Sequence, residues 1–152
     1  MSAHSDRAAE LFKQGFNCSQ AVFAAFCDEF DMDEETALKV SAGLGGGVGR
    51  LREVCGTVTG ASMVAGMLYG ATDGNDHEKK ALTYQKVQQI VDEFKKLNPS
   101  IVCRELLGLS PTASTPPTPE HRTDEFYKKR PCVQLVEDSA KAVDKILFGI
   151  ED

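Results

Sequence analysis

The stretch Asn17-Cys18-Ser19-Gln20-Ala21-Val22-Phe23-Ala24-Ala25-Phe26-Cys27 decides the fold class. Asn17 is a good N-cap, because its side-chain oxygen can accept a first-turn N–H that has no partner inside the helix. Beyond it, Ala21 to Phe26 is apolar on nearly every side of a helical wheel. A helix without a polar face is buried among other elements. The pattern therefore predicts a helix from Cys18 to Phe30 at the centre of an all-α fold.

Upstream, Ser5 to Gln14 reads as a helix with Ala8, Ala9, Leu11 and Phe12 on its apolar side, broken by Gly15. Downstream, Asp33 caps a short helix to Ala42, with Glu34 and Glu35 near its positive end. A fourth helix is predicted from about Cys55 to Tyr69, ended by Gly70 and the turn Asp73-Gly74-Asn75. Asp76 caps a fifth helix to Leu97, whose stripe is Leu82, Val87, Ile90, Val91, Phe94 and Leu97. Asn98-Pro99-Ser100 ends it and caps a sixth, Ile101 to Leu107, closed by Gly108.

Pro111, Pro116, Pro117 and Pro119 fall in the segment Leu109 to Arg122, which is predicted to be a mobile surface loop. Pro131 opens the last helix, with Val133, Val136, Ala140, Val143 and Leu147 inward and Gly149 behind it. No strand and no repeat is found. The expectation is one helical domain over residues 1–152, with a proline-rich loop at about 109–122.

A net charge of −6, no tryptophan and only 3 tyrosines argue against a nucleic-acid partner, since a polyanion is repelled and stacking surfaces are few. The first residues carry no apolar run, so no secretory signal is read there. No stretch approaches the ~18 consecutive apolar residues that a membrane span needs. The expected address is cytoplasmic, without membrane insertion.

Five cysteines, Cys18, Cys27, Cys55, Cys103 and Cys132, are more than a reducing compartment keeps as core filler. Their odd number and wide spacing disfavour a disulfide framework. Four of them fall at predicted helix starts: Cys18 after Asn17, Cys55 after the glycine stretch, Cys103 after Ser100, and Cys132 after Pro131. The first turn of a helix exposes unpaired N–H groups and carries roughly half a positive charge. A thiolate there is stabilised and becomes a better ligand or nucleophile. Arg50, Arg52 and the run Lys128-Lys129-Arg130 add positive charge beside Cys55 and Cys132. Cys27, at about 100° per residue, lies opposite Cys18 on the same helix and reads as core or surface. No CxxC pair or ferredoxin spacing occurs, so a site can be assembled only by tertiary structure.

The stretch Gly43-Leu44-Gly45-Gly46-Gly47-Val48-Gly49 lacks the Gly-Lys-Ser/Thr ending of a phosphate loop and a strand before it. Its glycines are read as allowing a tight turn and close approach to another group. Gly56, Gly60, Ala61 and Gly66 are read as permitting close helix contacts. His4, His77 and His121 have no metal-binding spacing and are expected to be solvated.

The pattern Gly15-Phe16-Asn17-Cys18-Ser19-Gln20-Ala21-Val22, the glycine stretch, Cys55-Gly56-Thr57-Val58-Thr59-Gly60-Ala61 and two later single cysteines resembles the redox-active C_GCAxxG_C_C family. Thr57 stands where the family pattern has alanine, which places a hydroxyl near the site. The resemblance implies that the four family cysteines are Cys18, Cys55, Cys103 and Cys132, with Cys27 extra. A related module in split-Soret cytochromes implies an iron–sulfur role, but this chain has no CxxCH haem attachment sequence.

The leading expectation is an iron–sulfur cluster, of a type left open, on those four thiolates, acting in electron transfer or redox sensing. The first alternative is a thiol–disulfide oxidoreductase with Cys18 or Cys55 as nucleophile, needing no metal. The second is a structural zinc site or a helical interaction module. The implied partners are a redox protein or a small thiol or electron donor, and a homodimer is left open.

Overall fold

A computed structural model describes residues 3–151, apart from the side chain of Lys129. Its regular elements are eight α-helices and two 3-10 turns, with no strand among the described residues. The helices are α1 (Ala3–Lys13), α2 (Cys18–Ala25), α3 (Glu34–Ser41), α4 (Gly56–Tyr69), α5 (His77–Lys95), α6 (Cys103–Leu106), α7 (Asp124–Lys129) and α8 (Cys132–Phe148). The all-α fold is as the patterning predicts. No helix among the described residues is long and apolar enough to cross a membrane.

Asn17 and Gln20 form a reciprocal cap at the start of α2: Asn17 Oδ1 accepts the Gln20 N–H at 2.9 Å, and Gln20 Oε1 accepts the Asn17 N–H at 3.0 Å. Ala21 to Phe26 are all buried, and α2 packs against α1, α3, α4 and α8. The helix is shorter than predicted. After Ala25 the chain tightens into a 3-10 turn at Cys27–Phe30, and Asp31 ends it at a φ of 58°. That winding stacks Phe30 on Phe23 with ring centres 5.1 Å apart. Cys27 accordingly sits in the turn rather than on α2, and lies in the apolar core.

Small residues set the α2–α4 contact. A Cβ on Gly60 would stand 2.8 Å from the Ser19 carbonyl oxygen, so only glycine allows these backbones to approach so closely. Gly66 has nothing within 4 Å of such a Cβ and makes no close contact, unlike its expected role. Of the predicted α5 stripe, Ile90 and Phe94 are buried, whereas Leu82 and Leu97 are exposed. Leu97 lies beyond the end of the helix at Lys95, outside the face that α4 and α8 cover.

His4 is not solvated as expected. Its Nδ1 is 2.6 Å from Asp144 Oδ1, its Nε2 is 3.1 Å from Glu29 Oε1, and its ring stacks on Phe26 at 4.2 Å. It shares the inward face of α1 with Ala8 and Leu11, at helical spacing, which carries it toward α8. His77 and His121 are exposed.

The proline-rich segment runs over the surface, mostly exposed, and is held by its carbonyls. Arg104 donates to Ser110 and Ala113, and Arg50 donates to Pro116 and Thr118. The short helix α7 follows it and was not anticipated. Thr123 caps α7 by accepting the Phe126 N–H, and Tyr127 meets Phe12 edge-on.

Candidate functional site

The glycine-rich stretch is wound the wrong way for L-residues. Gly46, Gly47, Val48, Gly49 and Arg50 all have φ between 55° and 74°, and Arg52 has 63°. The loop closes on itself through Gly49 N–H to Gly43 O, Arg52 N–H to Gly46 O and Glu53 N–H to Gly47 O. Glycine bears this readily, but Val48, Arg50 and Arg52 each incur roughly 1–2 kcal/mol of strain. A β-branched residue such as Val48 is a genuine outlier there. Strain of this kind persists only where the surroundings fix it, and it clusters at functional sites.

Leaving the loop, residues 52–55 run antiparallel to 101–104. Cys55 donates its N–H to Ile101 O at 2.7 Å, Cys103 donates to Glu53 O at 2.6 Å, and Val54 bridges Val102. This pairing brings Cys55 beside Cys103. A Cβ on Gly47 would lie 2.7 Å from Cys103 Cβ and 2.6 Å from the Glu53 nitrogen, so the loop can seat there only as glycine. On the other side, a Cβ on Gly56 would collide with Cys18 Sγ. Bare glycine backbone at both points lets three cysteine-bearing segments meet.

The result is one cavity of about 440 Å³ whose wall includes Cys18, Cys55, Cys103 and Cys132. Cys18, Cys103 and Cys132 are the first residues of α2, α6 and α8, and Cys55 is the N-cap of α4. Cys55 and Cys103 are buried, while Cys18 and Cys132 are partly exposed. Cys27 is 2% exposed and does not line the cavity. Four of the chain's six arginines, Arg50, Arg52, Arg122 and Arg130, line it as well. Lys128 is exposed, and the side chain of Lys129 lies outside the described residues.

The thiols are not equivalent. Cys18 is pulled down from 9.0 to about 6, first by the Cys55 thiol donating to its sulfur, against burial. The N–H groups of Gly46, Ser19 and Cys18 itself add to that pull. Cys55 is pushed up, first because it is the donor in that bond, then by burial and by the Cys18 charge. Burial raises Cys103, with Arg52 opposing it, and raises Cys132 to about 12, with Arg130 and Arg122 opposing. Helix-start position predicts four acidified thiols, yet only Cys18 is lowered, and there the Cys55 thiol does more than the backbone N–H groups. At Cys103 and Cys132 desolvation outweighs the dipole, and at Cys55 the bond donated to Cys18 raises the thiol before burial does. At Cys103 the amide is spent on Glu53, and α6 is only four residues long. The Thr57 hydroxyl is buried 3.1 Å from Cys55 Sγ.

Among the described residues, no three His, Cys, Asp or Glu side chains stand close enough together to hold a single metal ion. Residues 16–146 match the family described as "Putative redox-active protein (C_GCAxxG_C_C)". The chain belongs to this family. No curated protein and no solved structure matches it. In this C_GCAxxG_C_C protein the Cys55-Gly56 step is the point of contact with Cys18, which gives the glycine after that cysteine its physical reason.

Sequence reading missed Arg122, which packs on Phe12 and donates to the Phe12 and Phe16 carbonyls at the cavity wall. It also missed the left-handed run. A glycine-rich stretch is the only signal of such a conformation, and it says nothing of the non-glycine residues caught in it.

Proposed function

We propose that Cys18, Cys55, Cys103 and Cys132 hold an iron–sulfur cluster and that the protein acts in electron transfer or redox sensing. The observation that carries this reading is the convergence of four cysteines from four separate segments on one cavity shared with four arginines. The donor set fits the group. Thiolates are the usual cluster ligands, and guanidinium charge offsets the negative charge of a cluster on four thiolates. The same geometry disfavours a single zinc ion, whose thiolate bonds of about 2.3 Å require the sulfurs to lie almost in contact. A polynuclear cluster spreads its ligands further apart, which suits a cavity where the Cys18 and Cys55 sulfurs meet but no third ligand among the described residues joins them closely enough for one ion.

When bound, the cluster would supply one-electron chemistry. The chain's own work is to place the thiols, to shield Cys55 and Cys103 from water, and to balance charge. Three of the four thiols resist ionisation in the metal-free protein, so loading releases protons and tightens as pH rises. Partners of this reading are a redox protein or a small electron donor. The test is anaerobic reconstitution of the full chain with iron and sulfide, followed by iron and acid-labile sulfide analysis. Iron with matching sulfide and a broad visible absorbance is expected, and zinc alone would count against it.

One observation favours a second reading. The Cys55 thiol donates to the Cys18 thiolate, an arrangement suited to a pair that becomes a disulfide as an S–S bond forms, two electrons pass to an acceptor and the single Cys55 proton is released. Peptide mapping of oxidised, metal-free protein tests it: a Cys18–Cys55 disulfide supports this reading, and unmodified thiols at both positions oppose it.

A further inference from the structure

The arginines around the thiols do not all have the same work. Arg122 gives both terminal nitrogens to the Phe12 and Phe16 carbonyls. Arg50 is tied to Pro116 and Thr118, and Arg130 to Glu120. Arg52 is different: among the described residues its guanidinium donates to no oxygen, and its one hydrogen bond runs from Nη1 to Cys103 Sγ at 3.7 Å. The other N–H groups of that fork remain available within a cavity where Glu120 is the one carboxylate among the described lining residues.

Arg52 is held in place at a cost. Its φ of 63° belongs to glycine, yet its N–H is fixed to Gly46 O and its carbonyl accepts the Arg104 N–H. A glycine would fit that backbone without strain and would bring no charge. Arg50 is pushed below its ordinary range by burial, then by Arg52 and more weakly by Arg130, with Glu120 opposing. Cations crowded into one partly enclosed cavity, in a chain of net charge −6, are relieved by an anion entering among them.

We propose that Arg52 makes the thiol cavity selective for small anionic reaction partners, molecules bearing a carboxylate or another oxyanion that meet its free N–H groups while facing the cysteines. This deepens the redox reading of the same cavity and rests on it. The volume of about 440 Å³ lies in the range of small-molecule sites. Apolar side chains such as Phe12, Leu106 and Leu135 in the wall suit the uncharged part of such a molecule.

The experiment compares carboxymethylation by iodoacetate with carbamidomethylation by iodoacetamide at Cys18, on reduced, metal-free full chain, read by mass spectrometry. The same thiolate displaces iodide from both reagents, so the ratio of their rates cancels the thiolate fraction and leaves the effect of the reagent's charge. For charges about 6 Å apart the preference is about threefold at bulk-water screening and about 100-fold in a partly enclosed site, so about tenfold over free cysteine is expected. Arg52→Lys should keep most of it. Arg52→Gln and Arg52→Gly should both lose it, and Arg52→Gly should unfold at a urea concentration no lower than the wild type, because glycine relieves the backbone. That pairing separates lost charge from lost structure. A wild-type ratio no higher than that of free cysteine, or one unchanged in both Arg52→Gln and Arg52→Gly, overturns the inference. Because no metal is present, the ratio is independent of cluster loading: a protein that assembles no cluster yet shows an Arg52-dependent ratio keeps the inference and loses the iron–sulfur reading.

Discussion

Cys55→Ala should undo the acidity of Cys18. The largest cause holding the Cys18 thiol at about 6 is the hydrogen bond from Cys55, and without it burial opposes only three backbone N–H groups. The midpoint should therefore return toward the ordinary 9.0. At pH 7 the thiolate fraction then falls from about 0.9 to about 0.01, but a more basic thiolate is intrinsically the better nucleophile. With a Brønsted slope near 0.45 that gain is about 20-fold, leaving a net loss of reactivity of only about fourfold to fivefold. A single-pH rate is thus a poor test, and the full pH profile of iodoacetamide labelling at Cys18 in metal-free protein is needed. The wild type should level off just above pH 6, whereas Cys55→Ala should still be climbing at pH 8.

The sign for stability follows from the same shift. Between about 6 and 9 the folded wild type binds fewer protons at Cys18 than the unfolded chain does. This contribution to stability is complete above 9 and is lost as pH falls through 6. The variant should lack that gradient. A Cys55→Ala profile that still levels off near 6 would show that the backbone amides alone acidify Cys18, and the thiol-pair reasoning would be wrong.

Other substitutions probe the frame. Gly60→Ala forces α2 and α4 apart at Ser19 and should lower stability by about 1 kcal/mol, the middle of an overpacking penalty of about 1–3 kcal/mol less the helix gain of about 1 kcal/mol; a raised urea midpoint would mean the contact yields freely. Val48→Gly removes a strained β-branched residue that is 37% exposed, and should raise stability by about 1 kcal/mol in the same assay; a lower midpoint would show that the side chain does unrecognised packing. His4→Ala strips the partner from a carboxylate only 2% exposed at Asp144, whose Oδ2 has no hydrogen-bond partner among the described residues, and should lower stability by about 3 kcal/mol in urea unfolding; a loss below about 1 kcal/mol would assign the contact no structural weight.

Much of this was legible because it depends on local signals. Asn17, Asp33 and Asp76 each cap the helix their chemistry predicts, and the apolar run Ala21 to Phe26 is buried. What was not legible depends on partners distant in sequence. His4 finds Asp144 across 140 residues, and Arg122 finds Phe12 across 110. Residues 52–55 pair with 101–104 through a contact too short to have strand periodicity. Helix position is visible in sequence and burial is not, so the sequence overstates the acidity of Cys103 and Cys132. Leu97 continues the apolar stripe in sequence, but α5 ends at Lys95 and leaves it exposed.

The most direct test of the account is a serine scan of all five cysteines, each variant reconstituted anaerobically with iron and sulfide and read by visible absorbance and bound iron. Cys18→Ser, Cys55→Ser, Cys103→Ser and Cys132→Ser should each lose the chromophore, or most of the iron, while keeping helical circular dichroism. Cys27→Ser, in the core and away from the cavity, should keep both. A wild type that takes up no iron, or a loss confined to Cys27→Ser with Cys18 dispensable, would contradict a four-thiol centre in this cavity.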